Sequence, residues 1–209
     1  MPIVKNFKSD RIDYIIWELT ETVDELEHIL SSSTLIIQGK GLKTVKRKKE
    51  FLSSRILLKE LFKTCPEIIY DDFGAPFMSK LKDNISITHS GNYVVAARSK
   101  YEIGIDIEQV SEKLNRTKHK YSSERELSFI DESQKLFHLA LYWSAKESVY
   151  KLVSNEALIF DSDMQIEAFT PIEESQFMLQ LNSKKMKKTL LVNYQKLKSY
   201  VFTYCVLDS

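Results

Sequence analysis

The feature that most constrains this chain is a pair of short stretches, GIDIE at residues 104–108 and WSAKESVYK at residues 143–151. The first predicts a strand, because isoleucines alternate with small or acidic residues. Side chains alternate between the two faces of a strand, so Asp106 and Glu108 point the same way. Two carboxylates on one face of an apolar strand are costly unless something neutralises them, which a divalent cation does well.

The second stretch predicts a helix, where positions four apart share a face. Trp143, Glu147 and Lys151 then form one stripe, so a third carboxylate and a lysine are predicted to face the first two carboxylates. Each stretch alone also fits a structural role. An alternating charged strand is typical of a solvated sheet face, and a Glu–Lys pair four residues apart is typical of a surface ion pair worth a few tenths of a kcal/mol.

In this order the two stretches resemble the signature motifs of the 4′-phosphopantetheinyl transferases, of the longer type that activates surfactin synthetase. A third stretch, ISITHSGNYVVAA at residues 85–97, is similar to the same family. The resemblance implies an enzyme that moves the phosphopantetheine arm of coenzyme A to a serine of an apo acyl or peptidyl carrier protein. It also implies that 3′,5′-ADP is released and that Mg²⁺ is the cofactor.

The resemblance implies an α+β fold of two pseudo-symmetric halves, each a small antiparallel sheet with packed helices, with the coenzyme in a cleft between them. The first half, residues 1–101, would contact the coenzyme phosphates, and the second, residues 102–209, would carry the metal and catalytic residues. The similarity of SYVFTYCVL at 199–207 to NYVVAARS at 92–99 agrees weakly with such a repeat.

The resemblance also implies roles for single residues. Asp106, Glu108 and Glu147 would hold the metal ion, Glu147 would be the general base, and Lys151 would stabilise and protonate the departing phosphate. Contacts with coenzyme A carry over to seven residues: Arg47, Lys48, Thr88, His89, Asp106, Lys146 and Lys151.

Two of these contacts also have support from the residues themselves. Basic side chains crowd the start of the helix predicted over residues 43–63, where cations oppose the helix dipole. Either they form a solvated face or an anion is held there by cations and first-turn N–H groups together, with Arg47 and Lys48 as candidates. His89 follows Thr88 and precedes Ser90 and a glycine, which suits a phosphate pocket, although a lone histidine is usually structural.

Two positions depart from the family pattern. The middle residue of the Gly-x-Pro turn is Ala75, where the family often has a basic residue, and SNEAL at 154–158 lacks the family's glycine after the long helix. Two other functions therefore stay open. One is a degenerate relative that binds coenzyme A or a carrier without catalysis. The other is a structural or interaction protein with an accidental resemblance.

Composition limits the partners. With 30 basic and 29 acidic residues the net charge is +1, which gives no general argument for nucleic-acid or membrane binding. No apolar run reaches membrane-spanning length, and the N-terminus lacks the apolar core of a signal peptide. Cys65 and Cys205 lie far apart and are expected to be reduced, buried thiols. We therefore expect a cytoplasmic monomer.

The periodicity predicts several further elements along the chain. They are a strand at 12–19, a helix at 22–30, a pair of short strands within 67–78, either a hairpin or a bent pair of buried strands within 85–97, a mobile loop at 109–120, helices at 121–131 and 132–153, and strands at 157–168, 175–182, 188–194 and 199–207.

Overall fold

The structure is a computed structural model, which describes residues 3–72, 74–153 and 157–207. The chain divides into two compact units, Met1–Lys100 and Tyr101–Ser209. Each unit contains an antiparallel sheet and packed α-helices, so the predicted α+β class is confirmed.

The first unit is built on a four-stranded sheet in the order β1-β2-β6-β5. Its strands are β1 (Ile3–Lys8), β2 (Asp13–Glu18), β5 (Asn84–Ser90) and β6 (Tyr93–Ser99), and a separate two-stranded ribbon pairs β3 (Ile68–Tyr70) with β4 (Pro76–Met78). The hairpin of β5 and β6 turns through Gly91, whose φ of 56° is in the left-handed region that favours glycine. The predicted hairpin is confirmed.

Three helices complete the first unit: α1 (Val23–Leu30), α2 (Ser33–Lys40) and α3 (Val45–Phe62). Thr22 begins α1 with a capping box in which its side chain and that of Glu25 bond each other's backbone N–H groups. Thr44 begins α3 by accepting a hydrogen bond from the N–H of Arg47. Leucine and isoleucine side chains on α3 are buried together with those of α1 and the inner face of the sheet.

The second unit is built on a five-stranded sheet in the order β7-β11-β10-β9-β8. Its strands are β7 (Glu102–Gln109), β8 (Met164–Ile166), β9 (Glu174–Asn182), β10 (Lys187–Leu197) and β11 (Tyr200–Leu207), and its helices are α4 (Glu112–Thr117), α5 (Glu124–Leu127) and α6 (Lys135–Val153). Helix α6 packs against β7 and β11 and carries the predicted WSAKESVYK stretch.

Gly104 fixes how closely α6 approaches β7. A Cβ atom at this position would overlap the backbone carbonyl oxygen of Ser148 and would lie 2.7 Å from the backbone nitrogen of Leu152. Only a residue without a side chain therefore allows this approach. Because Gly104, Asp106 and Glu108 share one face of the strand, the same approach brings α6 over both carboxylates.

Several sequence predictions need correction. Residues 109–120 were predicted as a loop, but they contain α4 and a 3₁₀ turn at Lys118–Lys120, held by the buried side chain of Leu114. Helix α5 has only one turn, β8 covers three residues of the predicted 157–168 strand, and β1 and α2 were missed.

The free thiol of Cys205 is buried as predicted, whereas that of Cys65 is exposed. The stretch at 154–158 lacks the family's glycine, and its residues 154–156 lie outside the described residues. None of the described helices is long and apolar enough to cross a membrane.

Candidate active site

The first part of the site is the α6-facing side of strand β7. Asp106 is buried, with 6% of its surface exposed, and Glu108, two residues further on, is half-buried. Asp106 lies opposite Thr203 of β11 in the ladder, so its backbone position is fixed by strand pairing on that side. The strand thus presents two carboxylates in a fixed order along one face, as predicted.

Lys151 on α6 contacts the first of these carboxylates. Its ammonium Nζ lies 2.6 Å from Asp106 Oδ1 and also donates to the carbonyl oxygen of Ile105 at 3.2 Å. The lysine side chain is 30% exposed, so the pair is anchored at its Asp106 end and accessible at the lysine. The structure therefore brings together the Asp106 and Lys151 predicted from the two motifs.

Glu147 lies one turn before Lys151 and belongs to the same electrostatic group. Burial first, and then the charges of Asp106 and Glu108, raise the pKa of its carboxyl from the ordinary 4.5 to about 7, while the ammonium of Lys151 opposes the shift. A carboxyl with this pKa exchanges a proton near neutral pH. Such shifts are typical of functional sites, although structural charge networks also produce them.

Glu108 is the third carboxylate. Burial raises its pKa and the charge of Asp106 adds to the shift, while the backbone N–H of Gln109, the ammonium of Lys113 and the indole of Trp143 lower it. The Gln109 nitrogen lies 2.7 Å from Glu108 Oε1. Trp143 of the WSAKESVYK stretch therefore helps to hold this carboxylate, as its place on the predicted stripe allows.

The three carboxylates offer the oxygen ligands that Mg²⁺ prefers. The charge of Asp106 raises the pKa of both Glu108 and Glu147, and a bound cation would relieve this repulsion. Among the described residues, however, no three Asp, Glu, His or Cys side chains are already arranged to hold a metal ion. The donor set thus fits the ion chemically, but the side chains would have to turn toward one point to bind it.

Lys146 does not join this group. Its ammonium is fully buried and donates to the carbonyl oxygens of Tyr121 at 2.7 Å and Phe160 at 3.0 Å and to the carboxylate of Glu126 at 2.8 Å. All three of its N–H donors therefore have acceptors inside the second unit. The geometry does not support the expectation that Lys146 contacts coenzyme phosphates, because such a contact would break a buried ion pair.

A cavity of about 560 Å³ opens beside Glu108. Its lining combines apolar and aromatic side chains with two exposed lysines at the edge: Lys113, Leu114, Lys120, Tyr121, Trp143, Leu158, Ile159 and Phe160. The rings of Trp143 and Phe160 lie 5.6 Å apart, and those of Tyr121 and Trp143 lie 5.2 Å apart. The lining is mostly apolar and aromatic, which suits a ligand that is largely uncharged.

A second polar cluster lies in the first unit, at the start of α3 and the end of β5. Arg47 Nη1 lies 3.5 Å from His89 Nε2, and both side chains contact the carboxylate of Glu50 at 3.3 Å. The structure thus brings together Arg47 and His89. Thr88 is buried on the opposite face of β5 from His89, since neighbouring side chains alternate along a strand. Lys48, partly exposed, lies one residue after Arg47.

Sequence reasoning missed three residues that position the site. Gly104 was part of a motif without a stated role, and Glu126 and Glu50 were not singled out as partners. Ser123 and Glu126 do match the capping-box spacing, which is a usable signal for the first turn of α5. Helical spacing marks Glu50 as a partner of Lys46 and Arg47, but no sequence pattern marks its contact with His89, which is 39 residues away.

The comparisons with known proteins agree with this geometry. A family model of the 4′-phosphopantetheinyl transferase superfamily matches residues 102–205, which include β7, α6 and the Asp106–Lys151 pair. No curated protein matches the chain significantly. Members of this family transfer phosphopantetheine from coenzyme A to carrier proteins. The second unit therefore belongs to the 4′-phosphopantetheinyl transferase superfamily, and the protein is a transferase enzyme.

Proposed function

We propose that this protein moves the phosphopantetheine arm of coenzyme A to a serine hydroxyl of an apo acyl or peptidyl carrier protein, releases 3′,5′-ADP and depends on Mg²⁺. The observation that carries the proposal is the contact of Lys151 with Asp106, within the unit that matches the superfamily and beside Glu147 and Glu108. We assign the enzyme to the longer, surfactin-synthetase-activating type, on its motifs.

The reaction is an attack by a serine oxygen on one phosphorus of a pyrophosphate, and catalysis of such transfers rests on positioning and charge stabilisation. Glu147 takes the proton from the incoming serine hydroxyl. Lys151, held in place by the Ile105 carbonyl and Asp106, directs its ammonium to the departing phosphate and returns a proton to it. The partial exposure of Lys151 leaves that ammonium accessible to a ligand.

The three carboxylates Asp106, Glu108 and Glu147 would hold Mg²⁺. When bound, the ion neutralises charge on the pyrophosphate oxygens. Their repulsion in the metal-free protein supports this assignment, since burial and neighbouring carboxylates together raise the pKa of Glu147. The protein's own contribution is the close packing of α6 on Gly104 of β7. This packing keeps Glu147 of α6 near Asp106 and Glu108 of β7.

The cavity beside Glu108 would receive the pantetheine arm. The arm is long, uncharged and mostly apolar between its two amides, and the aromatic lining formed by Tyr121, Trp143 and Phe160 matches it. The cavity lies next to Glu108, a proposed metal ligand. An arm bound in the cavity would therefore end close to the phosphorus that the serine attacks.

In the first unit we assign the 3′-phosphate of coenzyme A to Arg47, Lys48 and His89. The contact of Arg47 with His89 supports this, because it joins two basic groups of distant sequence position at the first turn of a helix. Thr88, on the opposite face of β5, would contact another part of the coenzyme. Ala75 leaves this unit without the cation that the family often has in the Gly-x-Pro turn, while Gly74, at φ 83°, keeps a turn conformation that favours glycine.

For the carrier protein we propose the surface of residues 109–126. The exposed lysines Lys113 and Lys120 lie at the edge of the cavity, where they would meet the acidic surroundings typical of a carrier serine. Few charges are involved, so we expect the apparent affinity for the carrier to weaken only modestly with salt.

One assay tests the function. Purified protein is mixed with coenzyme A bearing a fluorescent arm, an apo carrier and either MgCl₂ or EDTA, and labelled carrier is measured. We expect transfer in MgCl₂ and none in EDTA, and we expect Asp106→Asn to abolish it. A matched control is Asp13→Asn, which removes a comparable paired carboxylate near Arg98 in the first unit.

A degenerate relative is the second candidate, favoured by the absence of a ready three-ligand metal arrangement among the described residues. Such a protein would bind coenzyme A or the carrier in direct titrations but would not label the carrier in MgCl₂. Binding without transfer would therefore replace the proposed function by this one.

A further inference from the structure

Glu50 is a buried carboxylate in the first turns of α3, with 8% of its surface exposed. Its oxygens contact three basic side chains: Oε1 lies 3.3 Å from His89 Nδ1 and 3.8 Å from Lys46 Nζ, and Oε2 lies 3.3 Å from Arg47 Nη1. Arg47 Nη1 in turn lies 3.5 Å from His89 Nε2. Glu50, His89 and Arg47 therefore form a closed triangle.

The triangle fixes where the histidine carries its proton. An ionised carboxylate only accepts hydrogen bonds, so the contact with Glu50 requires a proton on His89 Nδ1. A guanidinium only donates, so the contact of Arg47 Nη1 with His89 Nε2 requires a lone pair on Nε2. Both contacts are satisfied together by a neutral imidazole with its proton on Nδ1.

A phosphate cannot bind to Nε2 in that state. Phosphate oxygens of a dianion accept hydrogen bonds, so Nε2 must donate, and it can do so only after taking a second proton. Glu50 keeps Nδ1 protonated, so the histidine cannot escape by moving its single proton to Nε2 without losing the contact with Glu50.

We propose that Glu50 is a positioning residue of the 3′-phosphate site, and that binding of this phosphate takes up a proton on His89 Nε2 while Arg47 turns from His89 to the phosphate. The proton comes from solvent. The proposal rests on the proposed function, because it takes Arg47 and His89 as the residues that bind the 3′-phosphate.

The surroundings of His89 are consistent with this role. The charged groups described against it come from α3, namely Arg47 and Glu50, with Lys46 on the same Glu50 oxygen. On the sheet side its ladder partner is Val94 of β6, and β4, which also packs on β5, carries no titratable side chain over Pro76–Met78.

A different role for Glu50 predicts the opposite result. If this carboxylate only neutralised the basic cluster, it would repel a phosphate, and removing its charge would strengthen binding. Whether Glu50→Gln weakens or strengthens the binding of coenzyme A therefore separates the two roles.

The experiment is calorimetric titration of the full-length protein with coenzyme A and with dephospho-coenzyme A, without carrier. It is done at pH 7.5 in two buffers of different ionisation enthalpy, which gives the protons taken up on binding. At this pH the 3′-phosphate is already almost entirely dianionic, since its second pKa is about 6, so the ligand itself contributes little.

For the wild type we expect coenzyme A to take up a substantial fraction of one proton more than dephospho-coenzyme A does. In Glu50→Gln this extra uptake should disappear, and binding of coenzyme A should weaken about tenfold, as for one lost charge-assisted hydrogen bond. In steady-state transfer the same variant should raise KM for coenzyme A much more than it lowers kcat.

Glu60→Gln is the matched control, because Glu60 lies on the same helix. The one described ion pair of its carboxylate is with Lys63. Glu60→Gln should leave both the uptake and the affinity as in the wild type. In a His89→Gln background, Glu50→Gln should add little, because the two residues act together.

Equal proton uptake with the two ligands in the wild type overturns the inference, and this comparison needs no variant to fold. Tighter binding of coenzyme A by Glu50→Gln also overturns it. If the wild type transfers the arm to a carrier and either of these two results is found, only this inference fails. If it neither binds coenzyme A nor labels a carrier, the proposed function fails as well.

Discussion

Lys146 and Lys151 lie five residues apart on the same helix and both contact a carboxylate, yet their surroundings differ. Lys146 is fully buried and has three acceptors, whereas the side chain of Lys151 is 30% exposed and bonds one carboxylate and one carbonyl. Burial lowers the pKa of Lys146, and Glu126 opposes that shift. The comparison shows that the ammonium of Lys146 is held inside the second unit, whereas the side chain of Lys151 reaches the surface.

The largest effect is expected for Lys151→Met. Transfer of the arm should fall at least about a hundredfold, as when one charge-stabilising donor is removed from an active site. The free energy of unfolding should fall less than it does in Lys146→Met, because the lysine side chain is 30% exposed even though Asp106 is buried. Activity per folded molecule, together with urea unfolding, measures both. Near-normal transfer would show that Lys151 is a structural residue like Lys146.

Lys146→Met is the reciprocal variant. It leaves the buried carboxylate of Glu126 without its cation, so the free energy of unfolding should fall by about 3 kcal/mol. Transfer per folded molecule should stay within about twofold of the wild type. The double variant Lys146→Met, Glu126→Gln should recover part of the stability, since the uncompensated charge is then removed. A folded Lys146→Met protein without activity would reverse our assignment and return Lys146 to the coenzyme phosphates.

A third prediction concerns Glu147, whose pKa burial and two carboxylates raise from 4.5 to about 7. Between these values the folded protein holds more protons than the unfolded one, so folding stability falls as the pH rises from 4.5 through 7. After discounting for its partial exposure, we expect a loss of about 2 kcal/mol in metal-free protein that Glu147→Gln does not show.

Urea unfolding at pH 5 and pH 8, in EDTA and in MgCl₂, measures this effect. Added Mg²⁺ should remove most of the loss at pH 8, because a bound cation favours the ionised carboxylate. Equal pH dependence in the wild type and Glu147→Gln would contradict the prediction. A loss that Mg²⁺ does not change would separate the titration of Glu147 from metal binding.

The smallest effect is expected at His138, which lies on α6 before both lysines. Burial lowers its pKa, although its hydrogen bond to Phe169 and the charge of Asp131 oppose the shift. Nδ1 accepts from the backbone N–H of Asp131 at 3.2 Å, which a second proton would prevent. The unfolded chain therefore binds more protons below pH 6.5, and stability falls as the pH drops from there through the lower folded pKa.

Melting temperatures at pH 7 and pH 5 test this prediction. The drop in melting temperature from pH 7 to pH 5 should be larger for the wild type than for His138→Gln. If both proteins lose the same amount, the acid sensitivity of the second unit has another origin.

Much of this structure could be predicted from local pattern. The strand β7 and the helices α3 and α6 follow from period and length. Helix α4 could not be predicted, because one buried residue, Leu114, holds it against the unit and no period marks it. Strand β1 was missed because it is an exposed sheet edge with little apolar alternation.

Contacts within the candidate site could be predicted where the spacing of a motif places two side chains on one face. They could not be predicted where the partners of a residue come from distant segments of the chain. Spacing put Glu147 and Lys151 on one face and Asp106 and Glu108 on another, and the structure confirms the contact of Lys151 with Asp106. Spacing could not distinguish Lys146 from Lys151, because the acceptors of Lys146 come from a turn, a short helix and a chain segment after α6.

The buried carboxylate of Glu126 has a consequence for local opening of the second unit. Besides the ammonium of Lys146, it accepts hydrogen bonds from the backbone N–H groups of Ser123 at 2.8 Å and Ile166 at 2.9 Å. One side chain thus joins three separate elements, α5, α6 and β8. These segments should open as a single unit in native-state hydrogen exchange, so the amides of Ser123 and Ile166 should show the same opening free energy and lose protection together.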